Sequence, residues 1–234
     1  MLDLRADLDN LWRASGRIPS EKGAKAIMFM SAHAGEGTSS VAASFGLMAA
    51  ERARRTTWLV DLDLARSPLI GGFQEKFAYG VGAPGRAYDA SLGALPFFEV
   101  SAPGQAQMRA TLRSGKLLAA HQIEGSRLLV TRFRTERLAY GQKVRLSKRA
   151  DWWKALRRSA DWIIVDAPAL EVSDGGLFVA GHMDGVVLVV EAGQTSTEAV
   201  VALKSEIEAA GGHVLGVVMN QMRKDALLAD RLAG

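Results

Sequence analysis

The residues Ser31-Ala32-His33-Ala34-Gly35-Glu36-Gly37-Thr38-Ser39-Ser40 follow the apolar run 26–30 and lead into a helix-like stretch, 41–50. A glycine-rich turn between a strand and a helix lets backbone N–H groups converge on an anion at the helix N-terminus. Phosphate is the natural ligand of such a turn. A nucleotide-hydrolysing loop carries lysine where this chain has Thr38, followed by the Ser or Thr that meets Mg²⁺. Ser39 holds that second place, and the lysine is missing.

Three further segments end apolar runs with polar side chains. Segment 58–66 places Asp61 and Asp63 just past a strand, 162–168 places Asp166 past another, and 214–221 closes the last with Asn220. Around a nucleotide, Asp166 can orient Mg²⁺ or its water shell, and Asp61 can hold metal-bound water or an attacking hydroxyl. Asn220 offers a paired donor and acceptor suited to an adenine edge. A lone Asp at a strand end is usually structural, but four sites in this order, each after an apolar strand, form a pattern.

The elements that must position them alternate strand with helix. Runs at 27–30, 57–60, 128–131, 162–165, 186–190 and 214–219 are short and continuously apolar, as expected of strands covered on both faces. Segments 41–54 and 197–210 carry helical periodicity. The expected class is α/β, with a doubly wound, mostly parallel sheet binding its ligand beyond the carboxyl ends of the strands. Residues 3–15 read as a helix with Leu4, Leu8, Leu11 and Trp12 on one stripe, ended by Gly16 and Pro19. That helix docks either on a neighbouring subunit or on its own domain. The expected organisation is an N-terminal extension, 1–20, and an α/β domain, 21–234. Glycine and proline break residues 71–127 into loops and short elements.

The 234 residues can bury a full core, and 48% hydrophobic content fits a globular chain. No apolar run is long enough to cross a bilayer, and the N-terminus does not read as a secretion signal. The absence of cysteine excludes disulfides, thiolate metal sites and thiol catalysis. A cytoplasmic protein is expected. The four histidines are scattered, and His33 alone lies in the phosphate loop, where it can contact an anion when protonated. Net charge is +4, yet between Arg127 and Arg158 eleven Lys or Arg stand against two acids. Such a block faces an anionic lipid surface, a polysaccharide, an acidic partner or simply water; Trp152 and Trp153 within it read as inward-packing residues, and nucleic acid is not expected.

The chain resembles the MinD/ParA-type P-loop superfamily, and within it the bacterial tyrosine kinases of exopolysaccharide export, over roughly 25–222. Segment 31–39 resembles their Walker A loop, 59–66 their Walker A′ segment and 163–168 their Walker B; 172–174 and 184–196 also follow the family, and Asn220 matches its base-contacting Asn. The resemblance implies nucleotide binding by Gly35, Glu36, Gly37, Thr38, Ser39, Ser40 and Asn220. It implies Mg²⁺ at Ser39, Asp61 and Asp166, with Asp61, Asp63 and Asp166 catalytic if the chain is active. It also implies a membrane polysaccharide co-polymerase or export component as partner, self-association, and a place at the inner face of the inner membrane.

The departures bear on activity. Thr38 replaces the loop lysine, Ala34 the proline before Gly-Glu-Gly, and Ala65 the Walker A′ arginine, with Arg66 next to it. The family's C-terminal tyrosine cluster is lacking, since Tyr79, Tyr88 and Tyr140 are the only tyrosines, and the N-terminal helix has no Glu-x-x-Arg-type assembly motif. Loss of one charge-assisted bond, about 1.5–3 kcal/mol, weakens nucleotide binding about tenfold to a hundredfold. Transfer chemistry suffers more, because it depends on electrostatic stabilisation. The expectation is a degenerate, kinase-like regulator or scaffold of exopolysaccharide synthesis and export that holds Mg-ATP or ADP weakly. One alternative is an active ATPase or tyrosine autokinase with a substitute cation from Arg66, Lys25 or a neighbouring subunit. A more distant one is a dinucleotide-binding protein, from Gly35-x-Gly37-x-x-Ser40 with Asp61 following.

Overall fold

The computed structural model describes residues 1–19, 23–75, 77, 79–101 and 117–221. The segment 225–234, which contains no tyrosine, lies outside them. Eight strands form one sheet in the order β10-β9-β1-β8-β2-β6-β5-β3. The first six in that order, β10 (Val214–Asn220), β9 (Gly185–Glu191), β1 (Lys25–Met30), β8 (Ala160–Asp166), β2 (Thr56–Asp61) and β6 (Leu128–Phe133), run parallel. The last two, β5 (Leu118–Ile123) and β3 (Pro84–Asp89), are antiparallel additions at one edge. Every strand expected from an apolar run is present.

Apolar side chains alternate between the two faces of the sheet. Along β1, Ala26, Met28 and Met30 face one core, and Ile27 and Phe29 face the other. Three helices, α4 (Asp151–Ser159), α5 (Gly175–Ala180) and α6 (Thr197–Ala209), contribute to the first core. A two-stranded antiparallel ribbon, β4 (Phe98–Ser101) with β7 (Lys143–Leu146), turns Phe98, Val100, Val144 and Leu146 onto the same core. The second core is covered by α2 (Thr38–Arg52), α3 (Pro68–Gln74) and the N-terminal segment. Trp152 and Trp153 are buried against Phe97 and each other, so the aromatic pair within the basic stretch packs inward.

The N-terminal helix is divided. A 3₁₀ turn at Arg5–Asp7 precedes α1 (Asp9–Ser15), and Leu8 between them is buried. Trp12 packs 5.7 Å from Phe45 and 5.1 Å from Trp162, with the Arg52 guanidinium over its ring at 4.9 Å. Leu2 N–H donates to Ser40 Oγ at 3.0 Å and Leu4 N–H to Ser44 Oγ at 2.9 Å. Of the two expectations for this helix, packing on its own chain is what is observed.

At the amino ends of the strands, far from the glycine loop, Arg157 of α4 is a buried staple. Its guanidinium donates to Asp184 Oδ2 at 2.9 Å and Oδ1 at 3.1 Å, and to the carbonyls of Ala24 (2.6 Å) and His182 (2.8 Å). Asp184 Oδ2 also accepts Ala26 N–H at 2.8 Å. One residue thus ties α4 to the starts of β1 and β9. Its truncation strands a largely buried carboxylate, 15% exposed, and breaking such a pair typically costs about 3–5 kcal/mol. Arg157→Ala should therefore lower unfolding free energy by about that amount in urea titration. A loss below about 1 kcal/mol, the range of an exposed pair, would show the staple to be dispensable.

Candidate functional site

The chain moves from β1 to β2 in one direction across the sheet and from β8 to β9 in the other, so the order reverses around β1 and β8. Crevices at such reversals are where open α/β sheets bind ligands. The glycine loop leaves β1 there. Gly35 and Gly37 adopt φ of +91° and +86°, which L side chains rarely tolerate. Gly37 is constrained a second time, because a Cβ on it would lie 2.0 Å from Asn220 Nδ2.

The loop is braced by its own residues. Glu36, only 3% exposed, accepts His33 N–H at 3.0 Å and hydrogen-bonds the Thr195 hydroxyl, whose oxygen also receives Glu191 N–H at 2.9 Å. Asn220 Nδ2 donates to Glu36 O at 2.9 Å, and Gln221 Nε2 to Gly35 O at 2.8 Å. With its carbonyls held from the β10 side, the loop presents N–H groups on its inner side. Those of Gly35, Glu36, Gly37, Thr38 and Ser39 have no acceptor among the described residues. The last three stand at the N-terminal end of α2, where the helix dipole favours negative charge.

Beside this donor set lie two carboxylates. Asp61 and Asp166 are register partners at the ends of β2 and β8, 2% and 4% exposed. Asp61 accepts Asp63 N–H at 2.9 Å and Leu69 N–H at 3.2 Å, which shapes the turn after β2. Burial, and then the charge of Asp166, push Asp61 well above the usual carboxylate range despite those bonds. Burial pushes Asp166 up to about 7; the nearby Ser39 hydroxyl pulls it down and the Asp63 charge pushes it further up. Asp166 Oδ1 and Thr38 Oγ1 are buried with no hydrogen-bond partner.

The candidate cations are spoken for. Arg66 donates through Nε to Asp63 Oδ2 at 2.6 Å. Lys25, at the opposite end of β1, donates to the carbonyls of Ser15 (3.1 Å) and Gly16 (2.9 Å) and lies over Trp162. His33 Nδ1 meets Glu171 Oε2 at 2.8 Å, and this hydrogen bond raises its pKa. Each of Arg66, Lys25 and His33 is thus engaged by a partner other than the loop's free N–H groups or the two buried carboxylates. Among the sequence-derived site residues, Gly35, Gly37, Thr38, Ser39, Asp61, Asp63, Asp166 and Asn220 gather here. Ser40 instead engages the N-terminus through its hydroxyl, and Glu36 acts as a brace. Glu171 stands in none of the segments singled out in the sequence, and Thr195 and Gln221 stand in segments 184–196 and 214–221 without a role of their own.

The donor set suits a hard cation as well as an anion. Mg²⁺ takes one or two carboxylates plus waters and phosphate oxygens, so Asp166 with its unpartnered oxygen, Asp61 and the Ser39 hydroxyl are of the right type. Among the described residues no cluster of three or more His, Asp or Glu could hold a metal alone. A cleft of about 740 Å³ opens past the ends of β2 and β8, with Asp63, Arg66, Arg145, Pro168 and Asp174 in its walls; Asp61, Asp166 and the glycine loop do not line it.

Comparison with known proteins agrees with this geometry. No family profile matches the chain. Over 71 residues it is 30% identical to the tyrosine-protein kinase CpsD of Streptococcus agalactiae, a stretch covering 30% of this chain and 31% of that protein. Among solved structures, the VpsO kinase domain superposes with a TM-score of 0.60 at 18% identity, covering 94% of this chain and 95% of that one. The BceF tyrosine kinase domain gives 0.54 at 12% identity, covering 92% and 75%. The MinC:MinD complex of Aquifex aeolicus gives 0.54 at 15% identity, covering 88% and 72%. The chain has the P-loop fold of the MinD/ParA type and is similar to bacterial tyrosine kinases.

An acid whose pKa is raised by folding binds its proton more tightly in the native state. Its ionisation therefore costs native stability as pH rises from near 4 to about 7, and the cost levels off above that. Asp166→Asn removes this cost. Its melting temperature should match wild type at pH 4 and exceed it increasingly up to pH 7–8. A difference that stays constant across that range would contradict the assigned burial of charge.

Proposed function

We propose that this chain is a degenerate, kinase-like P-loop protein that binds nucleotide weakly, turns it over little or not at all, and serves as a regulator or scaffold of exopolysaccharide synthesis and export. The observation that carries the reading is the pairing of a retained phosphate loop with two buried carboxylates that make no ion pair among the described residues. Gly35, Gly37, Thr38 and Ser39 would cradle the phosphates, Asp166, Asp61 and Ser39 would hold Mg²⁺, and Asn220 would reach the base. A bound Mg²⁺ would supply part of the missing positive charge. Transfer of the terminal phosphoryl group also needs charge along the phosphate chain, and Thr38 offers a hydroxyl there in place of an ammonium.

The polysaccharide context rests on the resemblance to bacterial tyrosine kinases. The partner in this reading is a membrane polysaccharide co-polymerase or export component, and the protein works at the cytoplasmic face of the inner membrane, with self-association as a further element. No helix among the described residues is long and apolar enough to cross a membrane. Attachment would therefore come from the partner or from basic surface between Arg127 and Arg158. That surface is thinner than its composition implies: Arg157 is buried, Arg132 pairs with Glu136 and Arg149 with Glu99, while Lys143 and Arg145 stand exposed on the ribbon.

The second reading is an active ATPase or autokinase. It is favoured by the complete carboxylate set and by Arg66, which stands on the cleft beside Asp63 and needs only to exchange that partner. The likeness of the fold to MinD and to bacterial tyrosine kinase domains favours these two readings over the dinucleotide-binding alternative.

The two remaining readings separate in one experiment. Purified protein with Mg-ATP should show phosphoryl transfer no greater than its Asp166→Ala variant, and that variant should still restore polysaccharide output in a deletion strain. Robust transfer abolished by Asp166→Ala, with loss of complementation, would establish the active enzyme instead.

A further inference from the structure

Glu171 lies five residues beyond Asp166, in the segment leaving β8. Leu170 N–H donates to Ser31 O at 3.0 Å and Glu171 N–H to Ala32 O at 3.2 Å, laying this segment along the start of the phosphate loop. The Glu171 carboxylate then takes two loop groups at once. Oε1 accepts the Ala34 N–H at 2.6 Å, and Oε2 meets His33 Nδ1 at 2.8 Å. A backbone N–H and the loop's own titratable side chain are what an incoming phosphate would use. The Ala34 N–H, and next His33, hold the Glu171 carboxyl below its usual range, so it is a resident anion at neutral pH.

The sheet order gives a direction to any nucleotide bound here. Asn220 and Gln221 grip the loop from β10, on one side of β1, whereas Asp166, Glu171 and Asp61 stand on the side of β8 and β2. With the base toward Asn220, the phosphate chain runs along the unengaged N–H groups of residues 35–39. Its outer end points at the N–H that Glu171 occupies. A third phosphate also brings one more negative charge beside Asp61, Asp63 and Asp166, with Arg66 already held by Asp63. A diphosphate needs only the inner donors.

We infer that Glu171 is a specificity-determining residue that stands where an outermost phosphate would bind, so that the loop holds a nucleoside diphosphate more tightly than a triphosphate. This rests on the reading of the loop as a nucleotide site. A residue that merely braced the loop would affect both ligands equally, so the ratio of their affinities is the discriminating quantity.

Calorimetry with Mg-ADP and with a non-hydrolysable Mg-ATP analogue tests this on wild type, Glu171→Gln and Glu171→Ala. Glutamine keeps an oxygen for the Ala34 N–H and removes the charge, so the fold of the loop is preserved. Wild type should bind ADP about tenfold or more tighter than the analogue, the size of one charge-assisted bond. In both variants the analogue should gain about tenfold while ADP changes by less than about threefold. Equal wild-type affinities, or variants that move both ligands by the same factor, overturn the inference and leave the nucleotide reading standing. Failure of every form to bind either ligand overturns both.

Discussion

Unbalanced charge at one point in the sheet governs this protein. Asp61 and Asp166 sit side by side at the ends of β2 and β8, almost without solvent, and Asp166 keeps an oxygen with no partner. Burying carboxylates without a counter-charge is expensive, and folding responds by raising both pKa values. Across a few ångströms of backbone the opposite imbalance exists, because the loop and the start of α2 present unengaged N–H groups. A polyanion with a divalent cation would satisfy both sides at once. A lysine at position 38 would have added a positive charge beside both, and Thr38 leaves the two imbalances separate.

The remainder of the fold holds these groups still. Loop carbonyls are tied to β10 by Asn220 and Gln221, Glu36 is locked to Thr195, and Asp61 spends both oxygens on the turn that carries Asp63 and Arg66. At the far end, Arg157 closes the strand starts around Asp184. Pre-set donors are what a phosphate site requires, since their orientation costs nothing at the moment of binding. The same rigidity limits local replacement of the missing ammonium: Arg66 is paired with Asp63 and His33 with Glu171, and Arg145 on the cleft wall lies on the exposed face of the ribbon.

The parallel strands were legible in the sequence because they are buried on both faces and read as unbroken apolar runs. Those at the sheet's antiparallel edge and in the separate two-stranded ribbon were not. Strand β3 starts with Pro84 and is half exposed, β5 contains His121 and Gln122, and β4 and β7 alternate over only four residues each. The loop, Asp61, Asp166 and Asn220 were legible because each follows an apolar strand at a fixed place. The pairings of Glu171 with Ala34 and of Thr195 with Glu36 were not, because the partners lie more than a hundred residues apart in sequence and only the sheet order brings them together. Glu36 shows the converse. It stands in the motif, yet its side chain braces the loop instead of facing a ligand.

Calorimetric titration of Mg-ADP into wild type and Thr38→Lys tests the central claim most directly. If the pocket is intact and short of one charge, wild type binds weakly and Thr38→Lys gains about tenfold to a hundredfold, the effect of one charge-assisted bond. Tight binding by wild type with no gain from Thr38→Lys would mean that another cation already fills the place, and the account of an uncompensated site would be wrong.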